Sequence, residues 1–272
     1  MESLKSDASV KIYVFYYKEG LILNIDKMFQ PIMAGNALIR QTAITGDDTG
    51  ENISELNPYY SELTGIYWVW KNTRQDITGV CHYRRYFTAQ PEPFCYKLKR
   101  IGYYPLGLYK KRYGLIYTKN TGRFSSRIIN EQELKHLLNF NDVILPVARK
   151  LKYTVETHYR RYHDINDLNL VKALIAEKYP DFQDSFKKVL EGKKLYANNI
   201  FILKNDLFQE FMNWWFDILF EYQQRIDLTS KTGYQKRNIG FIAERLLNVW
   251  FMKKQLKHVE LPVIYFKKFK KI

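Results

Sequence analysis

The stretch that indicates the fold is NPYYSELTGIYWVWKNTRQDITGVCHYRRYF, residues 57–87. Asn57 is a good helix N-cap, and Pro58 suits the first helical position. Apolar residues recur at helical spacing from Leu63 onward, so one face of this segment should be buried. The pattern therefore predicts one helix that begins at Asn57 and ends near Asn72.

A strand should follow this helix after a polar turn. Residues 76–81 form a short segment that is partly β-branched, which is typical of a strand in the core of an α/β sheet. The next residues include His82, Arg84 and Arg85, and in open α/β sheets ligands bind beyond the carboxyl ends of the strands. We expect the two arginines to bind an anion there. The alternative is a solvated basic loop with aromatic side chains packed beneath it.

The composition fits a globular chain with one well-formed core. The 272 residues are 46% hydrophobic and 16% aromatic, and a chain of this length buries enough apolar surface for one domain. We expect an α/β fold in a single domain spanning 1–272. Within it we expect an insertion at 88–130 and a basic C-terminal segment at 252–272.

The cysteines and the N-terminus predict a cytoplasmic protein. Cys81 and Cys95 provide neither a disulfide framework nor a metal-binding spacing. No apolar signal region begins the sequence, and no run approaches the roughly 18–20 apolar residues of a membrane span. We therefore expect a protein that is neither exported nor integral to a membrane.

The net charge of +15 predicts a polyanionic partner. Nucleic acid, an anionic membrane surface and a phosphate-bearing substrate all fit this charge, which does not choose among them. One hypothesis is therefore a non-catalytic RNA-binding protein, which the 22 tyrosines also suit. Against it, the aromatic residues cluster in predicted core elements, and no KH or RRM signature is present. A phosphotransferase is also disfavoured, because the sequence lacks a GxxxxGK[ST] phosphate loop.

The rest of the chain predicts further strands and helices. They are strands at 10–17, 142–146 and 195–203, a helix from Asn130 to Leu138, a long aromatic helix from Asn205 or Asp206, and an amphipathic helix within 234–250. The turn-forming segment 45–52 contains Asp47 and Asp48, which we expect to be solvated. Contact with a ribose is the alternative for this pair.

The segment 88–130 has poor periodicity and interleaves tyrosine with lysine and arginine. Such a segment could stack on single-stranded nucleic acid, cover the sugar rings of an acceptor, or rest on anionic lipid head groups. We favour a mobile insertion near an acceptor or a membrane. A plain solvated flap is the alternative.

The pentapeptide HYRRY of residues 82–86 recurs at 158–162, which is too short a match to establish a repeat. His158 and His163 are five positions apart, which fits neither an i,i+4 helical pair nor an HExxH zinc site. We therefore expect no metal at these histidines. Asp164 or Asn166 can cap the helix that should follow and run to about Lys178.

An ordered set of short motifs resembles a known bacterial family. They are Asn52-Ile53-Ser54, Tyr60-x-Glu62-Leu63-Thr64-Gly65-x-Tyr67-Trp68-x-Trp70-Lys71-Asn72, Gly79-x-x-His82-Tyr83-Arg84-Arg85-Tyr86-Phe87, Asp142-Val143-Ile144-Leu145-Pro146, Tyr196-x-x-Asn199-x-Phe201 and Tyr234-x-x-Arg237-x-x-Gly240-Phe241-x-x-Glu244-Arg245-Leu246. The family comprises capsular and exopolysaccharide biosynthesis proteins first catalogued as a domain of unknown function and regarded as glycosyltransferases. The resemblance implies a GT-A-like domain built on a mixed, mostly parallel sheet flanked by helices. The long, basic segment 88–130 departs from the family pattern.

The resemblance also implies how a donor would be bound. In GT-A families with a DxD motif, carboxylates hold a metal ion that neutralises the departing diphosphate, whereas the matching position here reads His82-Tyr83-Arg84. Guanidinium groups bind phosphate bidentately, so we expect them to replace the metal and no cofactor to be essential. The implied donor and diphosphate residues are His82, Arg84, Arg85, Tyr16, Tyr17, Lys18 and Arg237. An aromatic core strand is the alternative for the tyrosines.

For the chemical step, the resemblance implies an inverting transfer that needs a carboxylate base. Glu244 is the first choice and Asp164 the second, and a helical salt bridge is the alternative for the pair formed by Glu244 and Arg245. The implied sugar or acceptor residues are Asn199, His158, His163 and Arg245. Histidines 82 and 158 are also possible acid–base groups.

The expected partners follow from the same resemblance. The donor should be a nucleotide diphospho-sugar, and a UDP-hexose such as UDP-galactofuranose is the first to be tried. The acceptor should be lipid-linked or an oligosaccharide. Nucleic acid is not an expected partner. Residues 252–272 hold seven lysines and one glutamate, which predicts peripheral attachment to the anionic inner face of the plasma membrane. The alternative is that LPVIYF at 261–266 forms the last core strand and the remaining residues a frayed end.

Overall fold

The computed structural model describes residues 7–23, 25–103, 105–106 and 114–267. Among these, ten strands form one mixed sheet and two more form a small antiparallel pair. The strands are β1 (Val10–Tyr16), β2 (Phe29–Met33), β3 (Thr45–Gly46), β4 (Ile77–His82), β5 (Arg85–Phe87), β6 (Leu115–Thr118), β7 (Val143–Pro146), β8 (Arg149–Lys150), β9 (Lys194–Leu195), β10 (Phe201–Lys204), β11 (His258–Leu261) and β12 (Val263–Phe266).

Helices cover both faces of the large sheet. They are α1 (Asn36–Ile39), α2 (Asn57–Tyr60), α3 (Leu63–Asn72), α4 (Phe94–Tyr103), α5 (Thr121–Ser125), α6 (Glu131–Phe140), α7 (Val155–Tyr162), α8 (Ile165–Lys178), α9 (Gln183–Glu191), α10 (Asn205–Gln224) and α11 (Asn238–Lys254). The helix predicted from Asn130 is α6, and Asn130 and Glu133 form a capping box at its start. Of the two candidate caps, Asp164 caps α8, since its carboxylate accepts a hydrogen bond from the backbone N–H of Asn166.

The central sheet has the strand order β11-β7-β10-β4-β1-β2-β3. Neighbours are parallel except around β10, which runs antiparallel to both β4 and β7. The expected mixed, mostly parallel α/β sheet is therefore confirmed. Because β1, β2 and β4 are parallel, their carboxyl ends meet at one edge of the sheet.

Alternation along β1 fills two hydrophobic layers, one on each face of the sheet. Tyr13 and Phe15 belong to the larger layer, which also contains the buried faces of α3, α8, α10 and α11. Ile12 and Val14 belong to the second layer, which includes α6 and β12. Burial on both faces explains why residues 10–16 are almost uniformly apolar.

The single helix predicted over residues 57–72 is wrong, because the chain breaks between α2 and α3. Ser61 has φ 54° and ψ −131°, a conformation that non-glycine residues rarely adopt. Tertiary hydrogen bonds hold the break: the Asn57 amide donates to the Ser61 carbonyl at 2.8 Å and to Thr64 Oγ1 at 3.1 Å. The helix does end at Asn72, as predicted.

The strand predicted over residues 195–203 is also shorter than expected. Only Phe201 to Lys204 joins the central sheet, and Asn198 and Asn199 adopt left-handed conformations with φ 78° and 49°. Tyr196 is fixed by the Asn248 side chain, which accepts from its N–H and donates to its carbonyl. The resulting turn brings two asparagines toward the carboxyl edge of β4.

The segment 88–130 is partly built into the body of the protein. Strand β6 pairs with β12, and Ile116, Phe124 and Ile128 are buried in the second hydrophobic layer. The expectation of a mobile insertion is thus wrong for residues 114–130, whose poor periodicity reflects a short strand followed by a one-turn helix. Residues 107–113 lie outside the described residues.

The core-strand part of the alternative interpretation is confirmed for residues 263–266. Residues 263–266 form β12, in which Val263, Ile264 and Phe266 are buried, so these side chains do not lie on a surface that could enter a membrane. Residues 268–272 lie outside the described residues. Within the described parts of the chain, no helix combines the length and apolarity needed to cross a bilayer.

The two copies of HYRRY have different structures. Residues 82–86 end β4, make a turn and start β5, whereas residues 158–162 lie within α7. The pentapeptide is therefore not a structural repeat. Both cysteines are free thiols, with Cys81 buried and Cys95 exposed.

Candidate active site

A cavity of about 530 Å³ lies at the carboxyl edge of β1, β2 and β4. Its wall is completed by the break between α2 and α3, the turn before β10 and the first turns of α11. Of the thirteen candidate residues from the sequence, seven line it: Tyr16, Tyr17, His82, Arg84, Arg85, Arg237 and Glu244. The cavity thus brings the residues that follow β4 together with Arg237 and Glu244.

Arg84 and Arg85 are held by aromatic rings rather than by carboxylates. The Arg84 guanidinium carbon lies 5.0 Å from the ring centre of Tyr83 and 5.4 Å from that of Tyr265. That of Arg85 lies 5.3 Å from the Tyr265 ring. Arg84 Nε is buried without a hydrogen-bond partner, and no ion pair involves either guanidinium within the described ranges. Both charges therefore remain available to an anion.

His82 is a neutral imidazole in this setting. Burial, together with the positive charges of Arg85, Arg84 and Arg237, lowers its pKa to about 2. Its Nδ1 faces the backbone N–H of Arg84 at 3.4 Å, a long contact. At neutral pH the ring can exchange hydrogen bonds with a ligand, but it contributes no positive charge.

Arg237 joins the start of α11 to the break in the helix pair. Its Nε donates to Ser61 Oγ at 2.7 Å, and its Nη2 lies 3.6 Å from Glu62 Oε2. The side chain is about half exposed. It places a third guanidinium in the cavity, and the strained Ser61 is one of its anchors.

Glu62 is a carboxylate of the cavity wall that the sequence analysis did not single out. Its Oε1 accepts from the Asn199 amide at 3.0 Å. Asn199 itself is 1% exposed, so it orients Glu62 from behind rather than facing the cavity. The signal for Glu62 was its presence in the Tyr60-x-Glu62 motif, which does not reveal the chain break that exposes it.

Glu244 reaches the cavity from α11 and is fixed through both oxygens. Oε1 accepts from the backbone N–H of Asn198 at 2.7 Å, and Oε2 accepts from Arg245 Nη1 at 3.2 Å. The salt bridge offered as an alternative is thus present, and the carboxylate also lines the cavity. Since a carboxylate has about four acceptor positions, it can still accept from a ligand.

Arg245 is not part of the cavity wall, contrary to expectation. It is 2% exposed, donates to the Phe241 carbonyl at 2.8 Å and lies 4.9 Å from the ring centre of Tyr159. Successive side chains on a helix project about 100° apart, so the face that presents Glu244 turns Arg245 toward α7. Arg245 therefore positions Glu244 instead of contacting a ligand in the cavity.

His158 of α7 and His163, which directly follows this helix, lie behind the same wall. The His163 ring packs 4.0 Å from the ring centre of Phe241, which does line the cavity. Burial, followed by the charge of Arg245, lowers the pKa of His163 to about 4 and also lowers that of His158. Neither histidine is placed where it would touch a ligand in the cavity.

Asp164 is placed away from the cavity wall as well. Its carboxylate caps α8 and accepts from Lys231 Nζ at 3.0 Å, and Lys231 also holds Asp167 at 2.9 Å. The hydrogen bond from Lys231 is the main cause that lowers the pKa of Asp164. Its role as the second candidate base is therefore not supported by its position.

The two tyrosines at the end of β1 point to different environments, as the alternation of a strand requires. Tyr16 is 2% exposed and donates to the Leu21 carbonyl at 3.1 Å, whereas Tyr17 is 47% exposed. Tyr17 accepts from the Tyr83 hydroxyl at 3.2 Å. Lys18 is exposed, and its Nζ lies 5.5 Å from the Tyr17 ring, so it lies near the cavity without lining it.

The aspartates of the 45–52 segment have a structural role, and the expectation of a fully solvated turn is wrong. Asp47 is completely buried and accepts from the backbone N–H groups of Gly35 and Asn36, while Asp48 accepts from the Asn36 amide. Gly35, at φ 77°, lines the cavity. Asp47 thus shapes the wall from behind.

Comparison with known proteins identifies the family. The model described as Domain of unknown function (DUF4422) matches residues 11–255. The chain belongs to this family. No curated protein matches the chain.

The DUF4422 chain is also similar to a solved structure, the apo form of the bifunctional glycosyltransferase WbbM. The two are 28% identical with a TM-score of 0.81, and the match covers 96% of this chain and 46% of the other. This chain thus spans less than half the length of that protein. The comparison confirms the expected glycosyltransferase-like architecture.

Four of the six motifs that carried the resemblance to the DUF4422 family converge on the cavity. The Tyr60-x-Glu62 motif supplies Glu62, the strand end supplies His82 with both arginines, and the last motif supplies Arg237 and Glu244. The Tyr196-x-x-Asn199 motif forms the turn that holds both carboxylates, through the Asn198 N–H and the Asn199 amide. Segments more than 150 residues apart in sequence therefore build one site.

Proposed function

We propose that this DUF4422 protein is a glycosyltransferase that moves a hexose from a nucleotide diphospho-sugar to a hydroxyl of a glycan acceptor. The observation that carries the proposal is the charge arrangement of the cavity: three guanidinium groups, two of them without a carboxylate partner among the described residues, face two fixed carboxylates. The similarity to a glycosyltransferase structure supports the same reaction class.

The arginines suit the diphosphate of the donor. Arg84 and Arg85 follow the carboxyl end of β4, where ligands of α/β sheets bind, and Arg237 adds a charge from α11. Guanidinium groups form charge-assisted, bidentate hydrogen bonds with phosphate oxygens. As the bond between the sugar and the diphosphate breaks, the leaving diphosphate takes the electron pair, and these charges stabilise it. We accordingly propose that no divalent metal is essential.

The carboxylates suit the acceptor side of the reaction. In an inverting displacement the acceptor oxygen forms a bond to the anomeric carbon while a base removes its proton. Glu244 is the proposed base, since it lines the cavity and its orientation is fixed by Asn198 and Arg245. Glu62 replaces Asp164 as the second candidate, because it lines the same cavity.

The substrates and the site of action are narrower proposals that rest on the family resemblance. The donor is a UDP-hexose, with UDP-galactofuranose as the first to be tried, and the acceptor is lipid-linked or an oligosaccharide. The product would be part of a capsule, exopolysaccharide or O-antigen. The enzyme would act as a peripheral protein on the cytoplasmic face of the plasma membrane, where such acceptors are assembled.

A ligand screen by thermal unfolding tests the reaction class. UDP, GDP and ADP are compared with a short single-stranded RNA, and candidate UDP-hexoses are then incubated with the protein and analysed by mass spectrometry. A saturable rise in Tm with one nucleoside diphosphate, and hydrolysis or transfer of the matching sugar, is expected. Stabilisation by RNA alone would favour the non-catalytic RNA-binding alternative.

A further inference from the structure

Helix α4 presents its apolar face to solvent instead of to the core. Phe94, Leu98 and Ile101 are 73%, 53% and 66% exposed. With 3.6 residues per turn these three side chains project within about 60° of one another. Nearby Leu106 is 69% exposed. An exposed apolar stripe on one helix is unusual in a protein that has no partner for it.

The opposite side of α4 fixes the helix to the protein body. Tyr96 projects away from the stripe, and its ring packs 5.3 Å from that of Phe124 in an edge-to-face contact. Its hydroxyl donates to Thr118 Oγ1 at 3.3 Å. The orientation of the stripe therefore follows from the packing of α4, and the outward apolar face is a fixed property of the surface.

The sequence that contains α4 is basic, with Glu92 two residues before the helix. Residues 93–130 contain no aspartate or glutamate, and their nine basic residues are Lys97, Lys99, Arg100, Lys110, Lys111, Arg112, Lys119, Arg123 and Arg127. Lys97, Lys119 and Arg123 are exposed in the structure. Exposed apolar side chains among cations are the pattern of a helix that lies in the interface of an anionic bilayer. RNA fits the charge but not the aliphatic Leu98 and Ile101, which offer no ring on which a base could stack.

We propose that α4 is a membrane-docking helix that inserts Phe94, Leu98 and Ile101 among anionic lipids. The inference deepens the peripheral membrane location included under the proposed function, but it does not depend on the proposed chemistry. The proposed apolar contact with lipid is made by α4 and not by β12, whose apolar side chains are buried. Helix α4 begins seven residues after Phe87 of β5, so the docked surface lies within about 25 Å of the chain that carries Arg85.

The end of β12 lies next to the same surface. The backbone N–H of Lys267 donates to the Thr118 carbonyl at 2.8 Å, and Thr118 also accepts from Tyr96 of α4. Lys267 therefore leaves the sheet beside the docking helix. Because the sequence that follows Lys267 is basic, a contribution of this tail to lipid binding is tested separately.

Vesicle flotation tests the docking helix without any sugar nucleotide. The full chain is mixed with phosphatidylcholine vesicles that contain or lack phosphatidylglycerol. Wild type should float with the anionic vesicles and less so at high salt. The triple variant Phe94→Ser, Leu98→Ser, Ile101→Ser should bind these vesicles at least about tenfold more weakly. The matched control Phe140→Ser, Met252→Ser, which removes exposed apolar side chains elsewhere, should bind like wild type.

Cys95 gives a second readout because it is the exposed thiol of α4, whereas Cys81 is buried. A polarity-sensitive fluorophore on Cys95 should shift to the blue with anionic vesicles and be quenched by brominated lipid. The same label on Phe140→Cys in a Cys95→Ser background should not respond. Deletion of residues 268–272 tests the contribution of the tail separately from that of α4. If α4 docks by itself, the label on Cys95 still responds to anionic vesicles in the shortened chain.

Three results would overturn the proposal. The first is unchanged vesicle binding by the triple variant with an unchanged Tm. The second is a wild-type dimer that the triple variant converts to a monomer, which would assign the stripe to a second copy. The third is a Cys95 response to short RNA but not to vesicles. Nucleoside diphosphate binding by the triple variant should equal that of wild type, so failure of docking is distinguishable from failure of the proposed enzyme.

Discussion

At the scale of single residues, the structure shows which side chains bring charge to the cavity and which of their sequence neighbours do not. His82 lies beside two arginines and is kept neutral by burial and by their charges. Arg245 follows Glu244 in sequence but is turned into the core. The candidate site therefore depends on Arg84, Arg85 and Glu244, and each can be tested by one substitution.

The arginines should control donor affinity. Arg84→Ala or Arg85→Ala removes a charge-assisted contact with phosphate and should weaken binding of the donor nucleotide by about 1.5–3 kcal/mol, roughly tenfold to a hundredfold. Titration calorimetry with the nucleoside diphosphate measures this change. Arg160→Ala on the exposed face of α7 is the matched control and should bind normally. Wild-type affinity in both cavity variants would remove the arginines from the donor site.

The carboxylates should control turnover rather than donor affinity. Glu244→Gln keeps the size of the side chain but cannot accept a proton, so turnover should fall by about 10²–10⁴ with nearly unchanged donor binding. Glu62→Gln is the matched comparison in the same wall. A large loss of turnover in Glu62→Gln with near-normal Glu244→Gln would transfer the role of base to Glu62. A Glu244→Gln variant that only melts earlier would indicate a structural carboxylate.

His82 should make the fold sensitive to acid. Its pKa is about 2 in the folded chain and near 6.5 when exposed, so below pH 6.5 the unfolded chain binds one more proton than the folded one. The free energy of unfolding should therefore fall as pH decreases from 6.5, with a slope of up to about 1.4 kcal/mol per pH unit from this group. Urea unfolding at pH 7, 6 and 5 should show a shallower decline for His82→Gln. If the free energy of unfolding falls equally with pH in wild type and His82→Gln, protonation of His82 does not destabilise the folded chain.

At the scale of secondary-structure elements, the break between α2 and α3 shows how the fold creates the site. A continuous helix would satisfy the local preferences of residues 57–72, yet the chain places Ser61 in a strained conformation. The strain is compatible with the hydrogen bonds that Asn57 and Arg237 make to Ser61. Strained residues of this kind concentrate at functional sites, and this one lies in the cavity wall.

Ser61→Gly and Ser61→Ala separate the strain from the hydrogen bond. Both variants lose the Oγ contact with Arg237, but only glycine adopts φ 54° without a steric penalty. Ser61→Gly should therefore be more stable than Ser61→Ala by about 1–3 kcal/mol in chemical unfolding. Donor affinity should decrease by similar factors in both. Equal stability of the two variants would show that the backbone at Ser61 relaxes.

The elements also show what could be read from the sequence. Strands β1, β4 and β7 were predictable because burial on both faces makes them apolar runs, and α6 because its capping box is local. The break at Ser61 and the turn at Asn198 were not, since tertiary hydrogen bonds override local preference there. The arginines could be placed from the strand end alone. Glu62 could be placed only once the break was known.

At the scale of the whole molecule, the site is assembled by the sheet from distant segments. The parallel strands place Tyr17 and His82 at one edge, the antiparallel β10 returns the Asn198 turn to that edge, and α11 adds Glu244. The second hydrophobic layer carries α4 on a different surface. The structure thus separates the candidate catalytic cavity from the proposed membrane contact.

The same assembly predicts that activity does not require a divalent metal. Three guanidinium groups already supply the positive charge that a departing diphosphate needs. The carboxylate pair of Asp47 and Asp48 is occupied by hydrogen bonds from Gly35 and Asn36. Turnover of the identified donor should therefore be unchanged in excess EDTA, with the preformed calcium–EDTA complex at equal ionic strength as the control. If EDTA abolishes turnover and Mn²⁺ restores it, a metal held by the cavity carboxylates must neutralise the diphosphate, and the arginines would then serve only to orient the donor.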